Sequence, residues 1–203
     1  MNILDIFLLP KKLYEKFSGK RYTLVLGIVL VGIADMMFTF YQNQGRLLTG
    51  KSPMVLYFNI SLAVVMTLLI GFIDVLFFSV PLFDLFKRFK REKSIGNEGE
   101  HLVKFMKVYI CANLLVIPLN TLFYFLFGNT DFTRSNYAGF LAYAYIILLP
   151  LWVSAAVSRG ANAIYGFIAP LRRLVFLAAF IWSSVLSLVI GYIVDHWLIS
   201  LFK

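Results

Sequence analysis

Five stretches of roughly twenty residues each run through this chain almost without charge, more hydrocarbon than a water-soluble fold can hide. They lie at about residues 22–42, 54–78, 105–127, 137–158 and 174–194. At about 1.5 Å of rise per residue, about 20 helical residues cross the roughly 30 Å hydrocarbon core of a bilayer. The stretches are continuous rather than alternating, so helices are expected and not the short two-faced strands of a barrel. A composition of 61% apolar and 14% charged residues agrees. The expected fold is all-α: a single polytopic domain over residues 1–203 with five transmembrane helices.

The net charge of +9 would suit nucleic acid, but the bases sit in short segments between apolar spans, where topology and anionic headgroups account for them. No nucleic-acid partner is expected. The N-terminal segment and the connections between spans two and three and between four and five hold 15 of the 19 Lys and Arg residues, counting Lys104 and Lys107 at the start of span three; Arg46, Lys51, Arg134 and Lys203 lie on the other side. Short basic loops stay cytoplasmic, so this distribution predicts the N-terminus inside and the C-terminus outside. The opening residues lack the charge and cleavage pattern of a signal peptide, and none is expected.

Residues 1–21 alternate apolar side chains with Lys11, Lys12, Lys16, Lys20 and Arg21 at helical spacing, the pattern of an interfacial amphipathic helix; a topology-setting basic leader is the plainer alternative. Phe7, Lys11, Lys12 and Lys16 are the expected lipid or partner contacts there. A second set, Lys87, Arg88, Lys90 and Arg91, lies in the basic cytoplasmic segment 84–104, and Phe83, Phe86 and Phe89, spaced three apart over Phe83 to Lys93, suggest a membrane-surface anchor or a docking face. Pro53 suits a first helical turn, Pro81 and Asp84 mark the exit of span two, and Pro118 should kink span three. The chain from Arg159 to Arg173 reads as a connection.

An ionisable group in a spanning helix costs about 3 kcal/mol by insertion scales, so Asp35 requires a reason. Counted from span midpoints, Asp35 lies roughly 5 Å toward the outer side, near the levels of Asn120 and Ser187, and these three are expected to form an intramembrane polar site. Asp74 lies roughly 12 Å toward the inner side, level with Lys107, which makes an Asp74–Lys107 ion pair the expectation. Asp35 then serves a proton or ion site, a polar contact for a partner's spanning helix, or helix register within the bundle. His101 and His196 stand apart, Ser183, Ser184 and Ser187 have no nearby base, Cys111 lies alone in an apolar span, and no glycine run would cradle phosphate. Neither an enzyme nor a cofactor is expected.

The opening Ile3-Leu4-Asp5-Ile6-Phe7-Leu8-Leu9-Pro10, followed by Phe17 and a first span, resembles the start of prokaryotic members of the Yip family, the Ypt/Rab-interacting membrane proteins. The order of parts is similar too, including a polar glycine-bearing segment before a proline-containing third span, here Gly96 to Pro118. The long polar N-terminal region and the Asp-Leu-Tyr-Gly-Pro signature of eukaryotic relatives are absent, so the resemblance implies a prokaryotic plasma-membrane protein rather than a vesicle-traffic factor. It implies a non-enzymatic scaffold or accessory protein, acting through lateral contacts with other integral membrane proteins or by leaflet insertion. A homo-oligomer is compatible with that reading. The alternative is a small transporter or channel with a polar site around Asp35.

Overall fold

The structure, a computed structural model, describes residues 8–89, 98–127 and 136–202, apart from the side chains of 136–138 and 142. Phe7, Lys90 and Arg91 lie outside the described residues. A short α1 (Lys11–Glu15) is followed by α2 (Tyr22–Gln42), a small α3 (Gln44–Leu48), α4 (Pro53–Arg88), α5 (Glu98–Phe127), α6 (Asn136–Tyr165) and α7 (Ala169–Ile193). A π turn at Val194–Leu198 and a 3-10 turn at Ile199–Leu201 extend α7. There is no strand among the described residues. Five helices are long and apolar enough to cross a membrane, as expected: Tyr22–Gln42, Pro53–Arg88, Glu98–Phe127, Gly139–Tyr165 and Ala169–Leu201.

Helix ends and span ends do not coincide. Pro53 occupies the first turn of α4, where its missing N–H costs nothing. The helix then runs past Pro81 and Asp84 to Arg88, ten residues beyond the expected end at 78. Its 36 residues measure about 54 Å, far more than a roughly 30 Å hydrocarbon core requires. Burial supports the extension. Leu82 and Phe86 are buried, and the Phe86 ring meets those of Phe105 and Phe167 edge-on at 5.6 and 5.9 Å. The Phe83–Phe89 stripe is therefore not a free surface anchor: its central ring is core, and the flanking two pack against that core.

The expected connection from Arg159 is helical as well. α6 continues to Tyr165 because Ala161 and Tyr165 stay buried in the same cluster. It stops at Gly166, whose φ of +64° is the left-handed conformation, with its N–H donating to Asn162 O at 2.9 Å. That single bond from the residue after the cap is the αL form of helix termination, in which a residue with a Cβ is strained.

The N-terminal segment is a strap on the bundle rather than a continuous interfacial helix. α1 is five residues long, and the chain leaves helical conformation from Lys16 to Arg21. Tyr14 is buried against Gly160, where an added Cβ would lie 3.0 Å from its ring. Its hydroxyl donates to Leu8 O at 2.9 Å, and burial raises its pKa above the ordinary tyrosine value. Further on, Lys107 Nζ donates to Ser18 O at 2.6 Å. Lys11, Lys12 and Lys16 remain exposed. Tyr14→Phe, which keeps the ring and removes one hydrogen bond, is expected to cost about 1 kcal/mol in detergent thermal unfolding.

α2 and α4 touch backbone to backbone. A Cβ on Gly32 would sit 2.0 Å from Thr67 O, and one on Gly71 would sit 2.3 Å from Ile28 O. Only glycine permits that approach, and without a hydrophobic force between helices in lipid, such contact is a main source of association. The contact sets the register of the two helices that carry Asp35 and Asp74.

Candidate functional site

A polar cavity of about 380 Å³ lies between α2, α4, α5 and α7. Periodicity delivers its walls. Asp35, Thr39 and Gln42 fall at i, i+4 and i+7 on one face of α2; Tyr109 and Asn113 are one turn apart on α5; Ser187 and Asp195 are two turns apart along α7 and its extension. Asp74 of α4 closes the cavity. Gln42 and Asp195 lie at the end of the bundle that also holds α3, where Leu47, Ile199 and Phe202 form a small cluster.

Asp74 is the best supported of the acids. The Tyr109 hydroxyl reaches its two carboxylate oxygens at 2.9 and 2.8 Å, and Asn113 Nδ2 donates to one of them at 3.3 Å. Tyr109 is itself held by stacking on Phe78, with ring centroids 3.7 Å apart and planes 9° from parallel. Asp35 is treated differently. Its Oδ2 is buried and accepts no hydrogen bond among the described residues. Since Asp35 and Asp74 each lie three residues past the Gly32–Gly71 contact on antiparallel helices, they are separated by roughly 9 Å along the bundle axis.

Among the described residues the arrangement holds three carboxylates, and no Lys or Arg lines it. Two ionised carboxylates sharing a cavity of low dielectric repel each other, and a proton or a bound cation relieves that repulsion. Among the described residues no three Asp, Glu, His or Cys side chains come close enough together to hold a metal ion. The volume instead suits on the order of ten waters, or a cation that keeps part of its hydration.

Of the expected polar trio, Asp35 and Ser187 share this cavity, but Asn120 does not. Its side-chain oxygen accepts a short hydrogen bond from the Tyr145 hydroxyl of α6, and that ring stacks on Phe123. The expected Asp74–Lys107 pair does not form either: Asp74 is bound by Tyr109 and Asn113, and Lys107 by Ser18. Depth alone does not bring Asp74 and Lys107 together: Asp74 meets the face of α5 that carries Tyr109 and Asn113, and Lys107, two residues before Tyr109, lies about 200° around that helix. The carboxylates' shared cavity, with Tyr109, Thr39, Gln42 and Asp195, was still signalled in the sequence by the polar i, i+4, i+7 stripe from Asp35.

Elsewhere, Ser154 and Ser183 hydrogen-bond across α6 and α7 at 3.2 Å, and Lys87 and Arg88 pair with Glu98 and Asp84 at 2.6 and 3.1 Å. His101 stacks on Tyr165 and His196 on Tyr192. Compared with known families, curated proteins and solved structures, the chain matches no family model, no curated protein and no solved structure.

Proposed function

We propose that this integral membrane protein is a small transporter or channel for a monovalent cation or proton, with Asp35 and Asp74 as its intramembrane binding pair. One observation carries the reading: two carboxylates from different helices line a polar cavity inside an otherwise apolar bundle, with no basic side chain among the described residues to neutralise them. Each acid costs about 3 kcal/mol to place in the membrane, and register alone is served by the Gly32–Gly71 contact. Tyr109 and Asn113 hold Asp74 in place, Asp35 offers its unbonded oxygen, and Asp195 with Gln42 forms the mouth. The distribution of bases puts that mouth on the outer side.

A cation bound only to the folded state raises thermal stability by about 2.7 kcal/mol at a hundredfold excess over its Kd. Purified protein should therefore melt at a higher temperature as Na⁺, K⁺ or H⁺ is titrated in, and Asp35→Asn should remove the dependence. A wild-type midpoint indifferent to all three would refute the assignment.

The second reading, a non-enzymatic scaffold or accessory subunit acting laterally, is the one implied by the Yip-like order of parts. It draws on an apolar groove of about 380 Å³ between α2 and α4, lined by Ile33, Ile60, Val64 and Leu68 among others. Photocrosslinkers at Ile33 and Val64 should capture a discrete membrane protein if this reading holds, and lipid alone if it does not.

A further inference from the structure

Lys107 is an uncommon residue for this bundle. It is 8% exposed, sits inside a spanning helix, and among the described residues makes hydrogen bonds only to neutral groups, Ser18 O at 2.6 Å and Ser18 Oγ at 3.4 Å. No carboxylate pairs with it among the described residues. A buried ammonium whose charge is not compensated is costly, and an anion placed beside it recovers much of that cost. An ammonium has three N–H donors, so bonding to Ser18 leaves capacity for such an anion.

The surroundings specify which anion. Lys107 opens onto a cleft of about 380 Å³ between the N-terminal strap, α2 and α5. The cleft has two chemically distinct ends. Lys16, Ser18, Thr23 and Lys107 gather at one, and among the described residues no acid lines it. From there α2 and α5 run in the same direction, so Thr23, Leu26 and Leu30 descend one wall at i, i+3 and i+7 while Lys107, Ile110 and Leu114 descend the other at the same spacing. Over roughly 10 Å of helix the walls become apolar, with Gly27 and the Cys111 thiol among the aliphatic side chains. Leu26 and Leu30 are 67% and 40% exposed on the outside of the bundle, so the cleft opens toward the bilayer.

We propose that this cleft is a binding site for one anionic phospholipid, its phosphate held by Lys16 and Lys107 and one acyl chain lying along Leu26, Leu30 and Leu114. A free phosphate would gain the lysines and leave the apolar walls unused; a zwitterionic lipid would gain the walls and only a neutralised headgroup. The site also explains the irregular strap: by leaving helical conformation after α1, the chain brings Lys16 and the Ser18 carbonyl over the first turn of α2 to the level of Lys107. The inference is independent of the cation cavity, which lies on other faces of α2 and α5.

The test uses the full chain in a neutral detergent, with native mass spectrometry to count bound lipid as phosphatidylglycerol or phosphatidylcholine is added. The wild type should hold one phosphatidylglycerol and prefer it over phosphatidylcholine by roughly thirtyfold, the product of two lysines near a charged headgroup. Lys16→Gln should reduce that preference about fivefold. Leu30→Trp, which fills the apolar end and leaves the strap alone, should eliminate the single bound lipid; it keeps the test decisive should Lys107→Gln fail to fold. Equal retention of the two lipids would overturn the proposal, as would undiminished phosphatidylglycerol binding by Leu30→Trp. Displacement of the lipid by millimolar inorganic phosphate would also overturn it, by showing that the lysines bind phosphate without the chain.

Discussion

Gly71→Leu is expected to yield no monodisperse protein. A single Cβ there would already stand 2.3 Å from Ile28 O and 2.8 Å from Gly32 Cα, and both obstacles are backbone that no rotamer change can move. Overpacking a close-packed interior commonly costs about 1–3 kcal/mol, and more where the clash is with main chain. Leucine at this position must push α2 from α4 along their whole contact, which would open the acidic cavity that both helices line. Gly71→Ala should show a graded version, with a lower thermal midpoint. Gly45, where an added Cβ meets nothing within 4 Å, supplies the control: Gly45→Ala should be neutral. Size-exclusion profiles and melting curves of detergent extracts measure all three, and a wild-type profile for Gly71→Leu would mean the two helices are not in contact at that point.

Tyr109→Phe is the second large effect. The substitution keeps the ring on Phe78 but withdraws the hydroxyl that serves both Asp74 oxygens, leaving the carboxylate with Asn113 at 3.3 Å. Hydrogen bonds to charged groups are worth about 1.5–3 kcal/mol, and a buried carboxylate stripped of its donor sits at the upper end. The double substitution Tyr109→Phe with Asp74→Leu removes donor and acceptor together, and should return stability to within about 1 kcal/mol of the wild type. Comparing the three melting curves separates structure from function. A polar cluster kept only for packing would leave the double variant fully competent, whereas a cation site predicts a stable protein that no longer responds to cations.

Much of this architecture was legible in the sequence, for one physical reason. Lipid offers no hydrogen bonds, so apolar runs of sufficient length must be helices, and counting them gives the fold. Their ends were less legible because polarity reports where a helix leaves hydrocarbon, while packing decides where it stops. Leu82 and Phe86 carry α4 onward past Pro81. Gly166, by contrast, is a stop signal visible in the sequence, and the polar run before it obscured its meaning. The N-terminal segment has the alternation of an interfacial helix, yet Tyr14 finds a slot beside Gly160 that only the assembled bundle creates.

The site divided in the same way. Asp35 and Ser187 stood out as polar groups at one depth, and they do share a cavity. Depth carries no information about which face of a helix a residue occupies, so Asn120 was grouped with Asp35 although it turns toward Tyr145. Asp74 was assigned to Lys107 for the same reason, since the two share a depth while Lys107 lies on the face of α5 away from Tyr109 and Asn113. Facing residues on separate helices become visible from sequence only when the contact that sets their register is known, and here that contact is a pair of single glycines with no motif around them.

The most direct measurement is uptake of radiolabelled sodium, of radiolabelled rubidium as a potassium tracer and of protons into sealed proteoliposomes, with wild type and Asp35→Asn reconstituted at matched density. Uptake of at least one of the three well above that of empty liposomes by the wild type, falling to background in the variant while its melting curve remains cooperative, is the result expected of an acidic conduction site. Wild-type uptake of all three no faster than that of empty liposomes, or undiminished uptake through Asp35→Asn, would contradict it.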